Sequence, residues 1–192
     1  MRKTVTYLHV RAISACSTKG VLTCGPLSLP CALGRSGRNF SKKEGDGISP
    51  VGIWSLRQIY YRDDRIVRPL SKIPAAPIRG GWGWCETAGD RNYNCRVDLP
   101  YATAHEDLKR SDHLYDIVVE TSHNRRPRIQ GRGSAIFFHI ARGNYAPTAG
   151  CIAVSLLDMR KILGYCSART RLVIWPPSGA APRVFRKSPS RP

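Results

Sequence analysis

The chain has 192 residues, 42% of them hydrophobic, and a formal net charge of +18 at pH 7. This length and apolar content suffice for one compact domain with its own core, and they exclude a largely disordered chain. No stretch approaches the roughly 20 apolar residues of a membrane-spanning helix. The charge predicts anionic partners, such as a nucleic acid, a lipid surface or an acidic cell-wall polymer.

The opening stretch 1–20 starts with basic residues, but Thr4, Thr6, His9 and Arg11 interrupt its apolar positions. A secretory signal peptide needs a continuous apolar segment of about 7–15 residues. No export signal of the usual kind is therefore visible, and a cytoplasmic location stays open.

The first half of the chain is rich in short β-prone segments. Segments 5–13, 20–25 and 27–34 are separated by Ser-Thr-Lys-Gly and Gly-Pro, which is the pattern of an antiparallel meander. After a polar, glycine-rich connection, the alternating residues 52–61 predict another pair of strands. Residues 71–95 are rich in proline, glycine and tryptophan without a clear period, which indicates a functional segment or short strands.

The second half predicts strands with one or two short helices: a short helix in 101–112, buried strands in 115–123 and 133–141, a helix in 155–164, and a last strand in 170–175. For the helix at 155–164, Ser155 takes the N-cap, Asp158 the capping-box position, and Gly164 follows the end. The predicted fold class is mainly β, with a single domain over 1–176. A basic, proline-rich tail, 177–192, is expected to be disordered.

One histidine and one cysteine stand out near the end of the predicted domain. His139 ends the second buried strand, and Cys151 follows Thr148-Ala149-Gly150 in a short loop. A thiol attacks only as thiolate, and an imidazole can take its proton and later return it to a leaving amine. Gly150 removes side-chain bulk beside the sulfur, and the backbone N–H groups of Gly150 and Cys151 are candidate oxyanion-hole donors. On spacing alone, a buried structural cysteine is the default interpretation and catalysis the alternative.

The seven cysteines do not have the spacing of zinc ligands, and His105 and His113 do not supply it. We therefore expect no metal site. Because the number of cysteines is odd, at least one has no intramolecular partner. Cys85 and Cys95 are candidates for a disulfide in an oxidising compartment and are otherwise buried thiols.

The chain resembles the L,D-transpeptidase catalytic domain family, whose enzymes cross-link bacterial peptidoglycan. The family signature is a histidine, a variable loop and Ser/Thr-x-Gly-Cys, which corresponds here to His139 and 148–151. Residues 45–53 are similar to the family's Thr/Ser-Pro-x-Gly element. The resemblance runs from about residue 5 to 176. Further segments resemble a family subgroup: Trp84-Cys85, Tyr93-Asn94, 113–116, 115–124 and 133–141.

The resemblance implies a β-sandwich-like catalytic domain that needs no metal and no cofactor. It implies that the Cys151 thiolate attacks the carbonyl of a diamino acid at its bond to a terminal D-Ala, which His139 protonates as it leaves. The acyl group would then pass to an amine of a neighbouring stem peptide and form a 3-3 cross-link. If water takes its place, the site is an L,D-carboxypeptidase. A non-catalytic, basic wall-binding module of the same fold is a further alternative.

The partners implied are peptidoglycan tetrapeptide stems, in the periplasm or cell envelope. We expect a monomer, and no recognised nucleic-acid module supports nucleic-acid binding. Three features depart from the family: Ala149 precedes Gly-Cys where many members have His or Lys, Ala153 stands where many have Arg or Asn, and the loop after His139 is short. Substrate binding is therefore expected to depend on other residues.

The remaining candidates have two interpretations each. Thr148 is predicted to orient His139 or a backbone group, or to stabilise the loop. Arg142 is a candidate for binding a substrate carboxylate, or an exposed surface arginine. His123 and Asn124 follow a buried strand and are candidates for the cleft wall. Two further pairs have structural alternatives: Trp82 and Trp84 stack on sugar rings or pack internally, and His113 and Asp116 tie a turn to the sheet.

Overall fold

The computed structural model describes residues 3–177, so all but the first residue of the predicted tail 177–192 lies outside the described residues. The predicted mainly β fold with one or two short helices is confirmed. One α-helix and one short 3-10 turn, Gly143–Tyr145, accompany the strands in the described part. The strands are β1 Tyr7–Ala12, β2 Lys19–Cys24, β3 Leu27–Ala32, β4 Arg38–Asn39, β5 Ser49–Pro50, β6 Gly52–Tyr61, β7 Ala75–Pro77, β8 Trp82–Cys85, β9 Arg96–Asp98, β10 His105–Asp107, β11 Ile117–Thr121, β12 Phe137–Ile140, β13 Ile152–Val154 and β14 Arg171–Ile174; the helix is α1 Leu156–Leu163.

The main sheet closes on itself. Its order is β11-β12-β13-β3-β2-β1-β14-β6-β7, and β6 pairs again with β11. Closure leaves eight strands in a ring, with β7 added beside β6. The ring satisfies the backbone groups that an open sheet would leave at its edges. The packed layers of the predicted sandwich are therefore parts of one continuous sheet.

The meander predicted for the first forty residues is confirmed, because β1, β2 and β3 pair antiparallel in sequence order. Two other predicted elements are wrong. Residues 52–61 form one ten-residue strand, β6, and not a pair, because β6 pairs with β14 at its start and with β11 at its end. Residues 101–112 contain β10 instead of a helix, because 105–107 pair with β8.

The unpatterned segment 71–95 contains two short strands. β7 adds to β6, and β8 is the centre of a separate three-stranded sheet, β10-β8-β9. This smaller sheet comes from residues 82–107 and packs against one face of the ring.

Strand β12 presents its two faces to two different cores, because alternate side chains of a strand point to opposite sides. Phe138 and Ile140 join the larger core inside the ring. Phe137 joins a smaller cluster that includes Cys151 and Trp84 of the three-stranded sheet. The outer face of β12 is thus covered by the smaller sheet, and the candidate nucleophile lies at this junction.

Helix α1 follows β13 directly and packs Met159, Ile162 and Leu163 into the larger core. Its start is capped as predicted: the Ser155 hydroxyl accepts a hydrogen bond from the Asp158 N–H at 3.1 Å and donates to the Asp158 carboxylate at 2.8 Å. The cap fixes the end of β13, the strand that follows Cys151. Within residues 3–177, no helix has the length and apolar character needed to cross a membrane.

Candidate active site

Two neighbouring parallel strands bring the candidate base and nucleophile to one face of the sheet. In the β12–β13 pairing, His139 lies opposite Ala153. Cys151 precedes Ala153 by two positions, so strand alternation puts its side chain on the same face as His139. Both side chains line one cleft. The residues between His139 and Cys151 therefore form the connection from β12 to β13, which accounts for the spacing of the two in sequence.

The Cys151 thiol is buried and hydrogen-bonded. Its side chain is 7% exposed. The Sγ donates to the Ala135 carbonyl at 3.1 Å and accepts from the Phe137 N–H at 3.3 Å. Burial, with a smaller contribution from the nearby Glu106 carboxylate, raises the pKa of Cys151 to about 12. At neutral pH the resting group is a thiol.

The His139 imidazole is oriented by the backbone. Its Nδ1 lies 2.8 Å from the Ile140 carbonyl, which can only accept, so Nδ1 carries the proton and Nε2 keeps its lone pair. The Tyr115 ring packs edge-to-face on the imidazole, with 5.4 Å between ring centroids. Burial lowers the pKa of His139 to about 4. The site at rest therefore combines a neutral thiol with a neutral imidazole.

The loop that joins the two strands is held by Thr148. Its N–H donates to the Leu33 carbonyl at 2.9 Å. Its hydroxyl donates to the Cys151 carbonyl at 2.7 Å and accepts from the Gly150 N–H at 3.1 Å. Of the roles predicted for Thr148, these contacts fit stabilisation of the loop and of the backbone, since the hydroxyl does not bond to His139.

Gly150 is required by the backbone at this point. Its φ is +133°, and a Cβ there would lie 2.7 Å from the Ile48 carbonyl oxygen. Its N–H is engaged by the Thr148 hydroxyl. The prediction that the Gly150 N–H serves an oxyanion hole is therefore not supported, and stabilisation of an oxyanion would need other donors.

The cleft around the pair has a volume of about 410 Å³. Arg142 lines it and is exposed, so its guanidinium can reach a bound ligand. Position 153 cannot supply that charge, because Ala153 is fully buried between β12 and β3. Charged side chains of both signs line the cleft: Arg35, Lys42, Arg110, Arg142, Glu44, Glu86 and Glu106.

His123 and Asn124 lie outside the cleft lining, in contrast to the expectation. The His123 Nε2 is 3.0 Å from the Arg132 carbonyl, and its ring packs edge-to-face on Trp54 at 4.8 Å. The Asn124 amide donates to the Ile129 carbonyl at 2.9 Å. Both side chains hold the turn between β11 and β12, and their polar groups are used there.

Tyr115 and Asn94 are two site-supporting residues whose roles sequence reasoning missed. Asn94 is 2% exposed, and its Oδ1 accepts hydrogen bonds from the Trp84 indole at 2.9 Å and from the Ala135 N–H at 3.1 Å. Ala135 in turn holds the Cys151 thiol. Both residues lie in segments that resemble a family subgroup, which was the available signal, but their roles depend on contacts with distant segments.

The other predicted alternatives resolve toward packing. Trp84 is 2% exposed and packs edge-to-face on Phe137, with 5.0 Å between ring centroids. The Arg96 guanidinium carbon lies 4.1 Å from the centroid of the Trp82 ring. The His113 Nδ1 contacts the Asp116 carboxylate at 2.8 Å, which ties the turn before β11.

All seven cysteines are free thiols, Cys85 and Cys95 included. Within the described range, no three His, Cys, Asp or Glu side chains are grouped to hold a metal ion.

Comparison with known proteins identifies the family. A family model, described as the L,D-transpeptidase catalytic domain (YkuD), matches residues 24–174. No curated protein and no solved structure matches the chain significantly. The matched range covers well over half of the chain and contains the ring of strands from the end of β2 onward, the loop 141–151 and the cleft. The chain therefore belongs to the L,D-transpeptidase catalytic domain family.

Proposed function

We propose that the chain is a cysteine-dependent L,D-transpeptidase that forms 3-3 cross-links between peptidoglycan tetrapeptide stems. The observation that carries the proposal is the pairing of β12 with β13, which puts Cys151 and the free Nε2 of a backbone-tethered His139 into one cleft. Family membership implies the peptidoglycan substrate and a site of action at the cell envelope.

The resting pair must exchange a proton before the thiol can attack. As the donor carbonyl reaches Sγ, the thiol proton passes to His139 Nε2, and the sulfur bonds to the carbonyl carbon of the diamino acid. The imidazolium then protonates the nitrogen of the leaving D-Ala, the C–N bond breaks, and a thioester remains on Cys151. A neutral amine of a second stem attacks this thioester and loses a proton to the His139 Nε2. The C–S bond breaks as the amide bond forms, and the imidazolium returns the proton to the sulfur, which regenerates the thiol.

Arg142 is proposed to hold a carboxylate of the donor stem. It lines the cleft, is exposed, and belongs to the same loop as Cys151. A guanidinium suits a carboxylate because it offers paired donors. This residue would supply the charge that Ala153 does not.

The test is product analysis with a disaccharide-tetrapeptide as donor and acceptor. We expect loss of D-Ala with formation of a cross-linked dimer, and no product from Cys151→Ser or His139→Ala. Selective acylation of Cys151 by a carbapenem, read by mass spectrometry, reports the nucleophile without an acceptor. Tripeptide without dimer would indicate an L,D-carboxypeptidase. No turnover together with an unmodified Cys151 would contradict the enzyme and favour a wall-binding module.

A further inference from the structure

The cleft contains one carboxylate without a partner. Of its three glutamates, Glu106 is paired with Arg110 at 3.0 Å, and Glu44 accepts a hydrogen bond from the Tyr93 hydroxyl at 2.5 Å. No side chain or backbone donor among residues 3–177 bonds to the carboxylate of Glu86, although Glu86 is half-buried and lines the cleft.

The position of Glu86 on the three-stranded sheet directs it toward the nucleophile. Its N–H donates to the Ala104 carbonyl at 3.0 Å, which continues the pairing of β8 with β10. By strand alternation Glu86 shares a face with Trp84. Trp84 packs on Phe137, whose N–H donates to the Cys151 Sγ. The face that carries Glu86 is therefore the face that covers Cys151.

An unpartnered, half-buried carboxylate is costly, and here two others lie near it. Burial, together with the charges of Glu106 and Glu44, raises the pKa of Glu86 to about 7. A cation bound in the cleft would offset this cost and favour the ionised carboxylate. The reaction proposed above brings such a cation, because an amine that accepts the acyl group arrives as an ammonium at neutral pH. The bound ammonium then gives one proton to the Glu86 carboxylate, which passes it to water, and the neutral amine attacks the thioester.

We propose that Glu86 binds the ammonium group of the acceptor stem and so makes the cleft selective for an amine over water. This inference rests on the proposed function, since the amine is the second substrate of that reaction. It assigns the donor carboxylate to Arg142 in the loop after β12 and the acceptor ammonium to Glu86 on the smaller sheet.

The first test measures binding and does not need turnover. The probe is a disaccharide-tripeptide with a free side-chain amine on its diamino acid, compared with the same probe acetylated on that amine, both titrated calorimetrically into Cys151→Ser protein. We expect acetylation to weaken binding about tenfold when Glu86 is present, since a charge-assisted contact is lost. The preference should disappear in Cys151→Ser with Glu86→Gln. An equal preference in both proteins, or none in either, would overturn the proposal.

Matched controls separate this carboxylate from a general loss of charge or fold. Asp98→Asn removes an exposed carboxylate of the same small sheet, and the amine preference should persist. Glu86→Asp keeps the charge and should retain part of the preference if the protein folds. In Glu86 protein the preference should weaken as the pH falls below 7, because a protonated carboxyl does not pair with an ammonium, and Glu86→Gln should show no such pH dependence.

Turnover supplies a second readout that keeps the two proposals apart. In the unmodified chain, D-Ala release and carbapenem acylation test the proposed function. In Glu86→Gln, the ratio of dimer to tripeptide, measured at equal D-Ala release, should fall about tenfold. Raising the acceptor concentration should restore the dimer, because the defect is in acceptor binding. An unchanged ratio in Glu86→Gln would contradict the role of Glu86 while leaving the transpeptidase intact.

Discussion

At His139 and Cys151, burial favours the uncharged form of both side chains. The pKa of the imidazole falls to about 4 and that of the thiol rises to about 12, so the thiolate–imidazolium pair of the proposed mechanism is not the resting state. In that mechanism, substrate binding has to favour the charged pair by placing a carbonyl and oxyanion donors beside the sulfur. A resting thiol in this form is also protected from oxidation, which proceeds through the thiolate.

Two buried histidines make the free energy of unfolding depend on pH. Burial lowers the pKa of His123, like that of His139, to about 4, whereas an unfolded histidine titrates near 6.5. Between those values the unfolded state binds more protons, so the free energy of unfolding falls as the pH drops from 6.5 to 4. Each histidine contributes a loss of up to about 3 kcal/mol over that window.

Urea unfolding at a series of pH values checks this dependence. We expect His123→Leu to reduce the slope of unfolding free energy against pH by about 1.4 kcal/mol per unit between pH 4 and 6.5. His139→Leu should reduce this slope by a similar amount over the same pH range. Above pH 7, neither substitution should change the slope. Parallel curves for wild type and variant across the whole range would refute the assignment.

The Thr148 hydroxyl holds the backbone of the nucleophile loop at two points. We expect Thr148→Val to lower the free energy of unfolding by about 1–2 kcal/mol, because the Cys151 carbonyl and the Gly150 N–H both lose a partner. Carbapenem acylation of Cys151 should slow in the same variant. Thr148→Ser keeps the hydroxyl and serves as the control. An acylation rate in Thr148→Val equal to that of wild type would show that the loop does not need these bonds.

At the scale of elements, the small sheet and the ring of strands are joined at the site through one amide. The Asn94 side chain bonds to Trp84 on the small sheet, to Ala135 before β12, and through its Nδ2 to the carbonyls of His123 and Asn124 at 3.2 and 2.9 Å. Its φ of +55° is also one that asparagine tolerates. The residue therefore connects the cover of the cleft to the backbone that holds Cys151.

We expect Asn94→Ala to lower the free energy of unfolding by about 3 kcal/mol or more, because several buried polar groups lose their partner together. Carbapenem acylation should fall with it. Asn144→Ala is the matched control: Asn144 has a similar φ of +54° but is exposed, so its loss should cost about 1 kcal/mol or less. Equal effects of the two substitutions on unfolding would mean that backbone conformation, and not the hydrogen bonds, is what Asn94 contributes.

Elements with local signals were predictable, and those defined by distant pairing were not. The cap of α1 involves residues three apart, so Ser155 and Asp158 revealed it in the sequence. Residues 105–107 became a strand only because β8 lies beside them, which no neighbouring residue encodes. His139 and Cys151 are joined by one short connection, and the family signature, rather than their spacing alone, paired them in the sequence. Glu86 enters the cleft from a separate sheet, and its place depends on tertiary packing.

At the scale of the whole molecule, the surplus of positive charge is the dominant property. Most acidic side chains form ion pairs within the described range, among them Asp46, Glu106, Asp112 and Asp116, so the surplus of basic residues is left for an external partner. The net charge of +18 should attract an anionic polymer over a distance comparable to the Debye length, about 8 Å at physiological salt.

We expect binding to purified peptidoglycan sacculi to weaken at least tenfold between about 50 and 500 mM salt, because screening removes a long-range attraction. Co-sedimentation of Cys151→Ser protein measures this without turnover. Acylation of Cys151 by a carbapenem should be far less sensitive to salt in the unmodified chain, because a small molecule carries few charges compared with a polymer. Retention on sacculi that does not respond to salt would show that short-range contacts, and not net charge, hold the protein to the wall.

The parallel ladder between β12 and β13 has a consequence for how such an enzyme diversifies. His139 lies on β12 and Cys151 directly precedes β13, and the opposite faces of these strands build the central core, so changing the relative position of the two residues would require breaking that core. The loop 141–149 and the small sheet have no such restriction. Mutation and selection can therefore replace side chains of this loop and of the small sheet while His139 and Cys151 keep their relative position. Among relatives, substitutions should accumulate in this loop and in the small sheet, and should be rare in β12 and β13.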